Sequence, residues 1–350
     1  MSTTTSNDLA QQWADLKREA PHLRARDAAE RLGCSEAALL SAASITPEAQ
    51  DGLEVNPLGG EPSDLLAQVS RLGRVMALTR NDAVVSETYG AYGDIEHGGS
   101  RGLVHNDGID LRIDFSHWHH VFAVRSRSSA RELSSLQFFD RDGTAVHKVY
   151  LTAESGRAAY DRIVNDQAAD DRYSPQFRAA EPSTDRRGST DVDVEALRER
   201  WSKLTNVHQF AGMLHSLGVS RHAAVRHVGP EFASPAPKTA YRTVLSAVRE
   251  AGIPIMVFVR SPGCTQIYTG SVNKLMESGE YYNVFDEEFH LHIREPRIAD
   301  AWVVRKPTTE DTVTSLEVYG LDDELSVQLF GVRDAERKES RVWRDCLEGL

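Results

Sequence analysis

His208 stands in Asn206-Val-His-Gln-Phe-Ala-Gly-Met-Leu-His215, where Phe210, Met213, Leu214 and Leu217 recur at helical spacing and define a core-facing stripe. At 100° per residue, His208, Gly212 and His215 fall within about 60° of one another and roughly opposite that stripe. Neutral imidazole is a common metal ligand. Glycine costs about 1 kcal/mol relative to alanine inside a helix, so Gly212 points to something flat or bulky lying against the backbone, and a porphyrin fits that need. Thr205 and Asn206 are good N-caps, which places His208 in the first turn, where the positive helix end disfavours imidazolium. The bland alternative is a helical histidine that simply faces solvent.

The strand Ile109-Asp-Leu-Arg-Ile-Asp-Phe115 alternates, with Asp110, Arg112 and Asp114 on one face. Its counterpart Phe289-His-Leu-His-Ile-Arg294 presents His290, His292 and Arg294 on the matching face; a solvated face with cross-strand ion pairs explains both patterns as well. In His117-Trp-His-His120 only His117 and His119 converge on a strand, and no carboxylate or cysteine completes a metal site at ligand spacing. Met256 and Phe258 share a strand face and suit either a soft apolar wall or plain core. Arg221, Lys306 and Arg333 suit ligand carboxylates or ordinary surface charge. The phosphate-loop, dinucleotide, zinc-protease and serine-hydrolase motifs do not occur, so no flavin or nicotinamide site is expected.

The elements that position these residues repeat. With a shift of 180 residues, Met76-Ala-Leu-Thr-Arg80 falls on Met256-Val-Phe-Val-Arg260, Gly90 on Gly270, Leu111 and Ile113 on Leu291 and Ile293, Ser135-Leu136 on Ser315-Leu316, and Tyr150 on Phe330. With slightly different shifts Leu32-Gly-Cys-Ser-Glu-Ala-Ala falls on Leu217-Gly-Val-Ser-Arg-His-Ala, and Trp118 on Trp302. Each copy opens with helices (8 to 20 and 26 to 43; 194 to 204 and 207 to 228), with Gly33 and Gly218 as stops, and continues with short alternating strands. The expected fold is therefore α+β, an internal duplication in which helices precede a large antiparallel sheet in each half. The expected domains are residues 1–165, a polar linker at 166–193, and residues 194–350 carrying the main site.

A length of 350 residues suits two domains, and 40% hydrophobic residues with 26% charged ones suit folded cores. The formal net charge of −12 opposes broad binding to nucleic acid or anionic membrane. No membrane span or secretion signal is read from the sequence, so a cytoplasmic location is expected. Three scattered cysteines suggest neither a disulfide framework nor a zinc cluster.

Taken together, LGRVMALTRN (72 to 81), DLRI with SHWHHVFAV (110 to 124), SLQFFDRDGTAVHKVYLT (135 to 152), VHQFAGML (207 to 214), PGCTQIYTG (262 to 270) and AWVVRKPT with TSLEVYG (301 to 320) resemble the haemin-degrading factor family of bacterial haem-utilisation proteins. The resemblance covers nearly the whole chain. It implies that His208 ligates haem iron, with His215 as the lesser alternative, and that Arg112 from the first half acts on the distal side. It further implies that Arg221, Lys306 and Arg333 hold propionates or the pocket edge, and that Met256, Phe258, Gln328 and Phe330 line the pocket. Departures are Phe210-Ala211 in place of an aromatic pair, Phe330 where tyrosine is frequent, and Arg260-Ser-Pro-Gly263 in place of Gly-Asn-Arg-Gly.

Two functions follow from the resemblance. One is oxidative degradation of haem b to release iron, with Arg112 as the catalytic group and electrons from an external reductant or reductase. The other is a carrier or storage protein that passes haem from an ABC transporter to a separate haem oxygenase. A duplicated scaffold binding another protein or metal through its histidines is the reading outside haem.

Overall fold

A computed structural model describes residues 6–21, 23–46, 52–106, 108–127, 132–169, 175–178, 191–333 and 338–350. Most of the expected linker lies outside the described residues. The chain forms two compact units, one of residues 1–79, 87–180 and 261–265, the other of residues 80–86, 181–260 and 266–350.

The first unit opens with α1 (Ser6–Glu19), α2 (Ala25–Leu32) and α3 (Glu36–Ile45). Gly33 ends α2 in the left-handed conformation, φ 67°, as its placement after the apolar run predicts; it splits the expected 26 to 43 helix in two. There follow β1 (Leu53–Leu58), α4 (Pro62–Gln68), β2 (Arg74–Arg80), β3 (Val84–Ala91), β4 (Ile95–Gly98), β5 (Arg101–Asn106), β6 (Ile109–Asp114), β7 (His120–Arg127), β8 (Glu132–Phe139), β9 (Ala145–Leu151) and α5 (Arg157–Asp166), residue 80 of β2 and residues 84–86 of β3 belonging to the second unit. The strands β1-β7-β8-β9-β2 run antiparallel in that order, and β4, β5 and β6 pair antiparallel with one another in sequence order.

The second unit repeats this plan. It contains α6 (Val194–Ser202), α7 (Gln209–Leu217), α8 (Arg221–His227), β10 (Ala233–Ala236), α9 (Ala240–Ala251), β11 (Ile255–Ser261) and β12 (Cys264–Gly270), of which 266–270 belong here. β13 (Leu275–Ser278), β14 (Tyr281–Phe285), β15 (Phe289–Arg294), β16 (Ile298–Pro307), β17 (Thr312–Gly320), β18 (Leu325–Gly331) and α10 (Arg341–Glu348) complete it. The order β10-β16-β17-β18-β11 matches that of the first unit strand for strand. Phe122 faces Gln137 and Gln137 faces Lys148; in the second unit Trp302 faces Glu317 and Glu317 faces Gln328. The register is thus a uniform shift of 180, and it pairs Trp302 with Phe122. Trp118, at the end of a 3-10 turn before β7, corresponds to Ile298 instead of the expected Trp302.

Each sheet has apolar side chains on both faces. In the second unit Val257, Val318 and Leu329 pack with α9 and α10, whereas Val304, Tyr319 and Leu325 pack with Leu197, Trp201, Phe210 and Leu214 of α6 and α7. Helix α9, absent from the sequence-based expectation, is carried by Tyr241, Val244, Leu245 and Val248, an i, i+3, i+4, i+7 stripe that is fully buried.

Candidate functional site

Helix α7 begins at Gln209, one turn later than Thr205 or Asn206 as N-cap implies, and His208 is itself the N-cap residue. The reason is local hydrogen bonding. The Asn206 Oδ1 accepts from the His208 backbone N–H at 2.9 Å, and the Gln209 Oε1 folds back to accept from the backbone N–H groups of Thr205 and Asn206 at 3.0 and 3.3 Å. These bonds make residues 205–208 a turn before the helix. His208 still sits at the positive helix end, with its side chain exposed.

The face predicted from 3.6-residue spacing is present. His208, Gly212 and His215 are exposed, while Phe210, Met213 and Leu214 are buried. A Cβ built on Gly212 meets no atom within 4 Å, so the backbone there borders open space. His215 lies seven residues on, about 10 Å along the axis, so the two imidazoles are too far apart to act on a single atom from one side.

Below this helix the sheet presents one continuous face. Met256 is opposite Phe330, Phe258 opposite Gln328, and Gln328 opposite Glu317, so all five point the same way. Met256, Phe258 and Phe330 are only half-buried, and the rings of Phe258 and Phe330 meet at 5.0 Å. The helix layer therefore leaves an apolar portion of the sheet partly uncovered.

Arg221, Lys306 and Gln328 come together, and not at the surface. Arg221 donates to Glu317 through Nε at 3.0 Å and Nη2 at 2.8 Å, Lys306 Nζ donates at 2.6 Å, Gln328 Nε2 at 2.9 Å and the Tyr319 hydroxyl at 2.8 Å. Glu317 is fully buried, and Arg221, Lys306 and Gln328 are buried with it. Burial alone would raise the Glu317 carboxyl, but the Arg221 guanidinium and Lys306 ammonium outweigh it and hold the group well below the usual carboxylate range. Burial pushes the Lys306 ammonium down to about 8 against the pull of Glu317. The cations reach towards α7: Arg221 lies 5.0 Å and Lys306 4.7 Å from the ring centre of Phe210, two residues from His208.

Arg333 and Arg112 are not among the groups that donate to Glu317. Arg333 is half-buried two residues beyond β18. Arg112 is exposed on β6 of the first unit and paired with Asp110, as the alternating pattern of that strand allows.

Glu317 and Tyr319 escaped sequence reasoning. Their signal is the alternation Ser315, Glu317, Tyr319 within an otherwise apolar central strand: a carboxylate buried there demands cations, and the same-face positions 306 and 328 supply a cation and an amide.

Comparison with known proteins follows the same two halves. The haemin-degrading HemS/ChuX domain matches residues 23–167 and 218–350. The chain is 32% identical over 343 residues to the hemin transport protein HmuS of Yersinia pestis, covering 98% of this chain and 97% of that one. It is also 32% identical to the hemin transport protein HemS of Yersinia enterocolitica, covering 99% and 98%. Among solved structures, holo-PhuS, a heme-binding protein from Pseudomonas aeruginosa, superposes with a TM-score of 0.89 at 36% identity over 99% of both chains. The heme-degrading enzyme ChuS of Escherichia coli O157:H7 superposes with a TM-score of 0.90 at 30% identity, again over 99% of both. With both repeats matched and full-length relatives above 30% identity, this chain belongs to the haemin-degrading HemS/ChuX family.

Proposed function

We propose that the chain binds haem b through His208 in bacterial haem-iron use, and that it degrades the bound haem oxidatively with electrons from an external reductant or reductase. The observation that carries the reading is an exposed imidazole at a helix start, beside an open glycine, in a chain whose relatives include heme-binding and heme-degrading proteins. The His208 imidazole would supply a nitrogen to the iron, and the half-buried Met256, Phe258 and Phe330 suit an apolar macrocycle. Arg221, Lys306 and Gln328 act from beneath through the buried cluster, and Arg333 suits a carboxylate at the edge. Arg112 as the distal catalytic group rests on family resemblance. The oxygen chemistry belongs to the haem, and this chain's residues bind and orient it.

The second reading is a carrier that passes haem from an uptake transporter to a separate oxygenase; two relatives are hemin transport proteins. A cytoplasmic location goes with both readings. Among the described residues no helix is long and apolar enough to cross a membrane.

Haem titration of the apoprotein and of His208→Ala, followed by reductant under air with catalase present, separates the readings. Soret loss with an open-chain tetrapyrrole and released iron supports degradation. Persistent haem that transfers rapidly to an acceptor supports carriage. An unchanged spectrum in His208→Ala removes the ligand assignment and moves the test to His215. An unaltered oxidation course in Arg112→Ala removes its distal role.

A further inference from the structure

A metal-bound histidine is ordinarily oriented by a hydrogen bond from its second ring nitrogen to a carboxylate, a carbonyl or water. Among the described residues, none makes a hydrogen bond, ion pair or ring contact with the His208 imidazole; only its backbone N–H is held, by Asn206 Oδ1 at 2.9 Å. The position of the ring is therefore set by the backbone of residues 205–208. One side chain gathers that backbone. Gln209 Oε1 accepts from the Thr205 N–H at 3.0 Å, the Thr205 hydroxyl at 3.3 Å and the Asn206 N–H at 3.3 Å. Two backbone donors converging on one atom require an oxygen there, which fixes the orientation of the amide. The Asn206 oxygen takes the N–H of residue 208 while the Gln209 oxygen takes that of residue 206, a reciprocal cap. The turn is also tied to the sheet, because Thr205 O accepts from the Thr309 N–H at 3.1 Å in the loop between β16 and β17. Thr308 closes that loop, its hydroxyl donating to Asp311 O at 2.6 Å and accepting from the Asp311 N–H at 3.1 Å. His208 and Gln209 are both exposed, so these bonds and not burial hold the turn.

We infer that Gln209 is a positioning residue for the His208 ligand, its Oε1 holding residues 205 and 206 so that the imidazole is presented from a fixed turn. The inference deepens the haem reading and rests on it. Gln209 acts through the backbone and bonds no ligand atom in this scheme. Without its oxygen the turn frays, the imidazole is presented in only a fraction of the molecules, and apparent affinity falls by that fraction. Releasing the donors of a cap shifts the ratio of ordered to frayed turn by about tenfold, and a loss of haemin affinity of about fivefold follows.

The test is a double-mutant cycle on the full chain, read by haemin titration at the Soret band, with far-ultraviolet circular dichroism checking the fold of every variant. Gln209→Met keeps the side-chain length and helix propensity but removes the acceptor, and should weaken haemin binding by about fivefold. In the His208→Ala background there is no ring to position, and the same substitution should change affinity by less than about twofold. Gln209→Glu keeps an acceptor oxygen and suits the positive helix end, so it should bind haemin within about twofold of the wild type. Gln209→Ala makes the same comparison should Gln209→Met not fold. An equal loss in both backgrounds marks a purely structural role and overturns the inference. So does wild-type affinity in Gln209→Met, or a loss in Gln209→Glu as large as that in Gln209→Met. An unchanged affinity and spectrum in His208→Ala alone removes the ligand reading itself and this inference with it.

Discussion

His147 in the first unit should make that unit acid-labile, by an amount that follows from its surroundings. The imidazole is buried, with Nδ1 2.8 Å from the Thr79 hydroxyl and Nε2 bonded to the Tyr92 hydroxyl, so the neutral ring is satisfied as one donor and one acceptor. Burial pushes its pKa from 6.5 down to about 3. Between these values the unfolded chain binds a proton that the folded unit does not, so stability rises with pH in this window and falls as pH drops from about 6.5 towards 3. At pH 5 the loss is about 2 kcal/mol, and at pH 4 about 3.4 kcal/mol, at 1.36 kcal/mol per pH unit. His147→Gln retains a donor and an acceptor but cannot titrate. It should cost about 1–2 kcal/mol at pH 7 through imperfect hydrogen bonds, yet show a flatter decline and approach or cross the wild type near pH 5. Urea unfolding from pH 7.5 to 4 measures this, with Trp118 as a local reporter; its ring lies 6.0 Å from that of His147. Parallel pH curves for the two proteins would refute the assignment of acid lability to His147.

Glu317→Ala should destabilise the second unit by about 3–5 kcal/mol, because it leaves Arg221 and Lys306 buried without their carboxylate; a loss below about 1 kcal/mol in urea unfolding contradicts its central role. Ser220→Ala removes the oxygen that accepts from the Ala223 N–H, and Ser35→Ala does the same for Ala38. Each should cost about 1 kcal/mol in its own unit, and two unchanged denaturation midpoints would argue against these caps. Gly212→Ala should stabilise the apoprotein by about 0.5–1 kcal/mol, since the site has room for a methyl group, whereas Gly212→Leu should weaken haemin binding. A destabilised Gly212→Ala would show that the helix face is not open.

Much of this fold was legible because central strands alternate and both copies do so in one register. Strands β1 and β10 were not, and the cause is physical. Each carries a proline, Pro57 and Pro235, and each is the first strand of its sheet order, where a missing N–H is tolerated. Strands β4 and β13 are short and largely exposed, so no apolar alternation marks them. At the candidate site the open His208–Gly212–His215 face follows from 3.6-residue spacing alone. The burial of Arg221 and Lys306 does not. Spacing cannot distinguish a cation at the surface from one held by a buried carboxylate, here 11 residues from Lys306 and 96 from Arg221.

The faces of the duplicated sheet have been treated unequally, and this explains how one fold supports two different units. On one face the equivalent pairs are Ala77 and Val257, Leu136 and Leu316, and Val149 and Leu329, all buried and all apolar. Substitution there trades one hydrocarbon for another, and a change in volume is answered by repacking. On the other face the pairs are Gln137 and Glu317, Lys148 and Gln328, and, from the helix layer, Glu36 and Arg221. A single charge change there would strand an uncompensated ion at a cost of several kcal/mol, so those positions have to change as a group. The outcome is a polar cluster of opposite polarity in each unit on an unchanged strand order.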